Sequence, residues 1–267
     1  MSRRERISVL ITVKAYPVFS ETSGESVCVA GIRTDTPQPE WVRLFPIPFR
    51  DLHHTAQFQK YDIISLDVGP KPDDERPESR LPFVDTITVH RHLSSKDGWA
   101  ERRPYVEPLI QPSMCAIMRQ QAADRTSLGV FQPATVYDFV VEHVPHRPAR
   151  QALVGQMNLF APDRKGLEIL PYKFRYRYRC DEPDCGGHTH SVIDWELSEA
   201  YRSWRHRYPD DKTLFSKLRH KWLDEIAGLD KDLYLFVGNI ARWPMSFVVL
   251  GAFYPPKQAV QTSLFRN

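Results

Sequence analysis

The spacing Cys180-(x4)-Cys185-(x2)-His188-x-His190 gathers two thiols and two imidazoles into one short loop. Zn²⁺ favours thiolate and imidazole in a tetrahedral shell, and paired ligands across a tight turn are how small zinc folds are built. Gly186-Gly187 supplies the permissive backbone such a turn needs. Cys180, Cys185, His188 and His190 are therefore expected to hold Zn²⁺. Four protein ligands would leave no open coordination position, which suits a structural ion better than a catalytic one. Few features constrain a fold more. The chain has to leave one element at Cys180, reverse, and enter the next by His190.

The chain has four cysteines in all. Cys28 lies in Val27-Cys28-Val29-Ala30 and Cys115 in Met114-Cys115-Ala116-Ile117-Met118, and both read as small buried hydrophobes. Met1-Ser2-Arg3-Arg4-Glu5-Arg6 is not followed by the apolar run of a signal peptide, and no segment has the length needed to cross a bilayer. The expected compartment is the cytoplasm, where a disulfide framework is not expected.

The element entering the loop is as informative as the loop. Tyr172-Lys173-Phe174-Arg175-Tyr176-Arg177-Tyr178-Arg179 alternates without a break, so a strand here puts aromatics on one face and cations on the other. Lys173, Arg175, Arg177 and Arg179 in a row repel one another on a merely solvated face. Their spacing suits a phosphate backbone, which makes nucleic acid, DNA or RNA, the expected partner. The net charge of +3 alone does not reveal this, because a nucleic-acid surface depends on how charge is distributed.

Around this centre the chain divides. Before it come short β-branched runs: Ile7 to Val13, Ser26 to Ile32, Trp41 to Phe45, Tyr61 to Val68 and Phe83 to Val89. Proline, glycine and aspartate clusters separate them, the pattern of small barrels. Ser113 to Arg125 is the one helix expected there, followed by strands at Leu128–Phe131 and Thr135–Val144. After the loop, Ser191-Val192-Ile193-Asp194 has capping-box spacing and opens a helix that Pro209 closes. A second helix, about Lys212 to Ala227, stops at Gly228, and strands at Leu233–Val237 and Phe247–Phe253 follow. The expected fold class is α+β: a β-rich region over 1–150, a linker over 151–165, a zinc-containing βααββ module over 166–256 and a tail over 257–267.

Two further readings compete for the same residues. Asp194 and Glu196, beside His188 and His190, could hold a catalytic ion, as in a metal-dependent nuclease. Acids in a first helical turn also serve as caps and favour the helix dipole. In the tail, Gln261, Leu264 and Phe265 have the form of the peptide by which bacterial proteins dock on the DNA sliding clamp. Gln156-Met157-Asn158-Leu159-Phe160 repeats it and reads better as a latch onto the chain's own core. A third class is a non-catalytic protein-interaction subunit, with the arginine row meeting an acidic partner.

The string from Phe174 through the Cys/His loop to Asp194-Trp195-Glu196, with Arg76-Pro77-Glu78-Ser79 and Ser127-Leu128-Gly129-Val130, resembles an uncharacterised bacterial family. The resemblance implies a dual OB-like N-terminal region and an association with mobile elements or phage defence. It implies no catalytic residue. OB-like barrels bind single-stranded nucleic acid through a basic groove and stacking aromatics, in agreement with the separate reading of residues 172–179.

Overall fold

The computed structural model describes residues 4–20, 24–145 and 168–257. The first half forms strands β1 (Glu5–Lys14), β2 (Val18–Ser20), β3 (Gly24–Arg33), β4 (Glu40–Ile47), β5 (Asp62–Pro70) and β6 (Ser79–His92). Strand β1 pairs antiparallel with both β3 and β5, which closes a five-stranded barrel in the order β1-β3-β4-β6-β5, with β4 and β6 parallel. Closure demands a glycine: a Cβ on Gly31 would lie 2.4 Å from the Leu10 carbonyl oxygen. Alternation in β1 then sorts the side chains. Ile7, Val9 and Ile11 fill the barrel, while Leu10 and Val13 point outward into a second core.

The second half is a seven-stranded sheet in the order β7-β8-β12-β13-β11-β10-β9. Its strands are β7 (Ile110–Gln111), β8 (Leu128–Phe131), β9 (Thr135–His143), β10 (Tyr172–Arg179), β11 (His188–Val192), β12 (Tyr234–Ile240) and β13 (Trp243–Phe253). Helices α1 (Met114–Asp124), α2 (Trp195–Arg207) and α3 (Asp211–Arg219) are N-capped by Ser113, Asp194 and Asp210, and α3 runs on into a π-helical turn, His220–Glu225. The β9-β10-β11 half joins the rest through one parallel pair, Val192–Val249.

Alternation also sorts the two faces of this sheet. Phe131, Leu235, Val237, Phe247 and Val249 pack with the helices. Their neighbours Val130, Phe236, Val248 and Leu250 pack on the outside of the barrel, against Leu10, Val13, Ala30 and Ile32. Buried Arg43 of β4 seals this seam by donating Nη2 to the Ser127 carbonyl and hydroxyl at 3.1 Å each. Glu78 accepts from the Ser127 amide and hydroxyl at 2.8 Å.

Three expectations change. One barrel forms among the described residues, because β8 and β9 enter the seven-stranded sheet with strands from far along the chain. The C-terminal part is accordingly larger than a βααββ module, and it draws on α1 as well. Ser191 does not open a helix: Ser191 and Val192 continue β11 by pairing with Arg175 and Phe174, so Asp194 becomes the cap of α2. Residues 151–165 and 258–267, the expected linker and nearly all of the tail with Gln261, Leu264 and Phe265, lie outside the described residues, as does the peptide Gln156–Phe160.

Candidate metal centre and basic strand

Four ligand atoms converge where β10 ends and β11 begins. They belong to Cys115, Cys180, Cys185 and His188, and all lie within 4.8 Å of one another. His188 Nε2 is 3.3 Å from Cys115 Sγ and 3.4 Å from Cys185 Sγ. With Zn–S near 2.3 Å and Zn–N near 2.0–2.1 Å, the S···N edge of a tetrahedral shell is about 3.5 Å, so the donors already stand at coordination spacing. Cys180 directly follows the last residue of β10, Cys185 lies across the short loop after it, and His188 opens β11. Cys115 comes from the first turn of α1.

Second contacts hold the ligands in place. Glu182, inside the loop, accepts from the Ser113 hydroxyl and takes the Arg119 guanidinium at 3.0 and 3.1 Å. Ser113 also caps α1 by accepting from the Ala116 amide at 2.8 Å. One carboxylate thus ties the loop to the helix that carries Cys115. The Cys180 amide points at Cys185 Sγ, 3.4 Å away.

The electrostatics suit a cation. Burial, with the neighbouring thiols, pushes Cys115 up to about 12. Burial opposes the Cys185 thiolate too, but the backbone N–H groups of Cys180 and Gly187 with the adjacent thiols bring it below its ordinary value. Burial lowers His188, which keeps its imidazole neutral and its lone pair available. A divalent ion would remove the repulsion that holds protons on these sulfurs.

His190 is not part of the cluster. Its Nδ1 lies 2.7 Å from the Tyr178 hydroxyl, and burial with the His188 ring beside it lowers the imidazole to about 4. The reason is geometric. The His190 ring centroid stands 5.6 Å from that of His188, and the Tyr178 hydroxyl occupies its Nδ1. His188 and His190 share a face of β11, and only the first reaches the other donors. Cys115, assigned above to the core, takes the vacant place. Nothing local in the sequence marks it, because the packing of α1 is what carries it to the loop residues.

Strand β10 has the expected two faces. Phe174, Tyr176 and Tyr178 are buried under the helices. Lys173, Arg177 and Arg179 are exposed, and Arg175 is half-buried against Glu142 at 2.9 Å. Asp138, opposite Arg177 on β9, is engaged by Arg219 of α3, and Lys173 and Arg177 have no ion pair among the described residues.

Asp194 and Glu196 turn away from the cysteines. Asp194 Oδ2 accepts from Lys60 Nζ at 3.0 Å, and Glu196 Oε2 from the same ammonium at 2.8 Å, while Asp194 Oδ1 caps α2 through the Glu196 amide at 3.0 Å. Burial works against the Lys60 ammonium, but the two carboxylates outweigh it and raise its pKa. The pair joins barrel to sheet at the seam, and it leaves no carboxylate in the His188 cluster.

The chain belongs to the family described as "Domain of unknown function (DUF8757)", whose model matches residues 110–267. A second model, "Domain of unknown function (DUF8758)", matches residues 5–108. The two matches meet just before β7, after the segment that follows the last barrel strand. No curated protein sequence matches the chain. One solved structure, a murine DNA binding protein bound with double-stranded DNA, aligns over 96% of this chain and 97% of that one, at 10% identity and a TM-score of 0.28. A likeness of that degree carries no argument. In the described residues no helix is long and apolar enough to cross a membrane.

Proposed function

We propose that this member of the DUF8757 family is a non-catalytic nucleic-acid-binding protein. Its contact surface is the cationic face of β10, braced by a structural Zn²⁺ on Cys115, Cys180, Cys185 and His188. The observation that carries the reading is the two-sided burial of β10. The aromatic face is locked in the core, which fixes Lys173, Arg177 and Arg179 as an outward row that can follow a phosphate backbone.

The barrel supports this reading indirectly. Its strand order and parallel closing pair match the Greek-key barrel of OB-folds, which bind oligonucleotides on the face of their second and third strands. Here those strands are β3 and β4, and their outer residues Ala30, Ile32, Trp41 and Arg43 are committed to the seam. The barrel is a scaffold, and the cations of the second unit do the binding. Three thiolates and one imidazole are a zinc donor set, and four protein ligands make a closed site, so the ion stiffens the end of β10 and activates no water.

The test is binding to labelled single- and double-stranded DNA and RNA between 50 and 200 mM salt, concentrations at which phosphate contacts announce themselves. Neutralising Lys173, Arg177 and Arg179 together should weaken binding and lower the slope of log K against log salt by about 2–3. Wild-type binding to none of these ligands, or binding indifferent to salt, refutes the proposal.

A further inference from the structure

The β12–β13 hairpin presents an apolar tip that the fold holds out in solvent. Ile240, Trp243 and Met245 are 38%, 57% and 50% exposed, and every residue from 240 to 246 is exposed. The ladder breaks here: Ile240 pairs with Trp243 and Asn239 with Phe247, which leaves Pro244, Met245 and Ser246 without partners across the strand. This is not a loose loop. Asn239, 4% exposed, donates Nδ2 to the Pro244 carbonyl at 2.9 Å and its amide to the Ser127 carbonyl at 3.0 Å. Its own carbonyl accepts from Arg76 Nη1 at 3.1 Å, and Asp74 in turn grips Arg76 at 2.6 and 2.8 Å. Sheet and barrel loop both position the tip through buried polar groups, while its large apolar side chains stay in water. Exposed apolar clusters of this kind mark contact sites.

We infer that the tip takes an unpaired base, and that the ligand of the β10 surface is therefore single-stranded nucleic acid. The chemistry at the tip selects this occupant. Arg242, in the turn, lies over the Trp243 ring, 5.4 Å from its centroid, which puts a cation for phosphate on one side of an exposed indole whose other face can meet a base. Single-strand binders combine those two elements, because every base has a π-face and no base pair competes for it. A duplex keeps its bases stacked inside and has nothing to offer the indole. Tip and arginine row are also tied together. Helix α1 packs on β13 and gives Cys115 to the cluster at the end of β10, so one helix touches both the strand that carries Trp243 and the candidate metal centre.

The inference rests on the proposed phosphate contacts of β10, and the experiment separates the two. Fluorescence anisotropy is measured with oligo-dT, oligo-U and a DNA duplex of equal length, using wild type, Trp243→Ala, Trp243→Phe and the Lys173/Arg177/Arg179 triple alanine variant. Trp243→Ala should weaken both single strands about tenfold or more, leave the duplex and the salt slope unchanged, and be partly rescued by Trp243→Phe. Intrinsic fluorescence of wild type should be quenched by the oligomers, and the quenching lost in Trp243→Phe. Thermal melting confirms that the variants fold. If the triple variant weakens binding and Trp243→Ala does not, the stacking inference falls while the β10 surface stands. If Trp243→Ala weakens duplex and single strand alike, the inference falls too. If the triple variant binds as wild type does, the β10 surface falls and the inference with it.

Discussion

Breaking the Lys60–Asp194 pair should destabilise the whole chain without touching any ligand surface. The two side chains are 5% and 6% exposed and lie 3.0 Å apart, at the seam between barrel and sheet. Removing Lys60 leaves Asp194 as a buried charge without its counter-ion, a loss of about 3–5 kcal/mol, while removing the Asp194 charge leaves Lys60 with the exposed Glu196 alone and should cost less. In a chain of this size each kcal/mol moves the melting temperature by about 2–4 °C, so a drop of roughly 6–20 °C is expected on losing Lys60. The informative variants are Lys60→Met and Asp194→Asn. Asparagine caps a helix about as well as aspartate, so Asp194→Asn keeps α2 capped and isolates the ion pair. Asp194→Ala loses the cap as well and should fall a further 0.5–2 kcal/mol or so. The double variant Lys60→Met/Asp194→Asn removes the orphan charge, so it should melt well above the sum of the two single losses. Glu196, 63% exposed, contributes little, and Glu196→Gln should stay within about 1 kcal/mol of wild type. Differential scanning calorimetry reads all of these. Single variants that melt within about 2 °C of wild type, or a double variant that is simply additive, would refute the structural role and reopen the reading of Asp194 and Glu196 as catalytic acids.

Metal analysis after chelator challenge should separate the two candidate fourth ligands: Cys115→Ser should lose the ion, weakening it by more than the roughly 10–100-fold typical of outer-shell changes, and His190→Ala should retain it. Retention by Cys115→Ser together with loss from His190→Ala would reverse the assignment. Glu182→Gln, which keeps the side-chain shape but loses the charge that grips Arg119, should weaken the ion by about tenfold in a competition titration, and an unchanged affinity would exclude the latch. Lys14 is buried beneath the Phe49 and Trp195 rings, and that burial, against the pull of Glu196, lowers it to about 8. Between pH 8 and the unfolded value near 10.4 the unfolded chain binds more protons at this group, so its penalty is full below pH 8 and is relieved as pH rises. Urea titrations from pH 8 to about 10 should therefore show a more positive stability slope in wild type than in Lys14→Met, and equal slopes would exclude the effect.

What the sequence reveals about this fold follows from the range of the interactions involved. The barrel strands and α1 are legible because alternation in Ile7–Val13 and the Ser113 cap are local, and the aromatic and basic faces of β10 follow from eight consecutive residues. The parentage of β8 and β9 is not legible, since Leu128 and Thr135 find their partners at Gly238 and Arg179 through tertiary pairing. Ser191 misleads for a related reason. Its spacing to Asp194 suits a capping box, but pairing with Arg175 keeps it in the strand. The same limit explains the metal shell. Three ligands lie within one loop, and the fourth is brought from α1 by packing that no spacing rule encodes. His190 filled the pattern in the sequence, and in the fold its Nδ1 meets the Tyr178 hydroxyl instead.

The placement of the proposed ion follows from the strand whose end it would hold. Like charges at alternate positions favour fraying of β10, most of all at Arg179, which pairs with Thr135 on β9 but lies past the end of the β11 ladder at Tyr178. The aromatic face resists this along most of the length, through Phe174, Tyr176 and Tyr178 in the core. Past Tyr178 the buried face has only Cys180, and there a bound ion would crosslink strand end, loop, β11 and α1 at one point. Metal and core would then act on the same property, the outward direction of the arginines. Stripping the ion should therefore weaken nucleic-acid binding mainly through Arg179 and Arg177, the cations nearest the cluster, and leave Lys173 at the far end contributing as before. A chelated protein that keeps its full salt slope would separate the ion from the surface, and the brace would have to be assigned to stability alone.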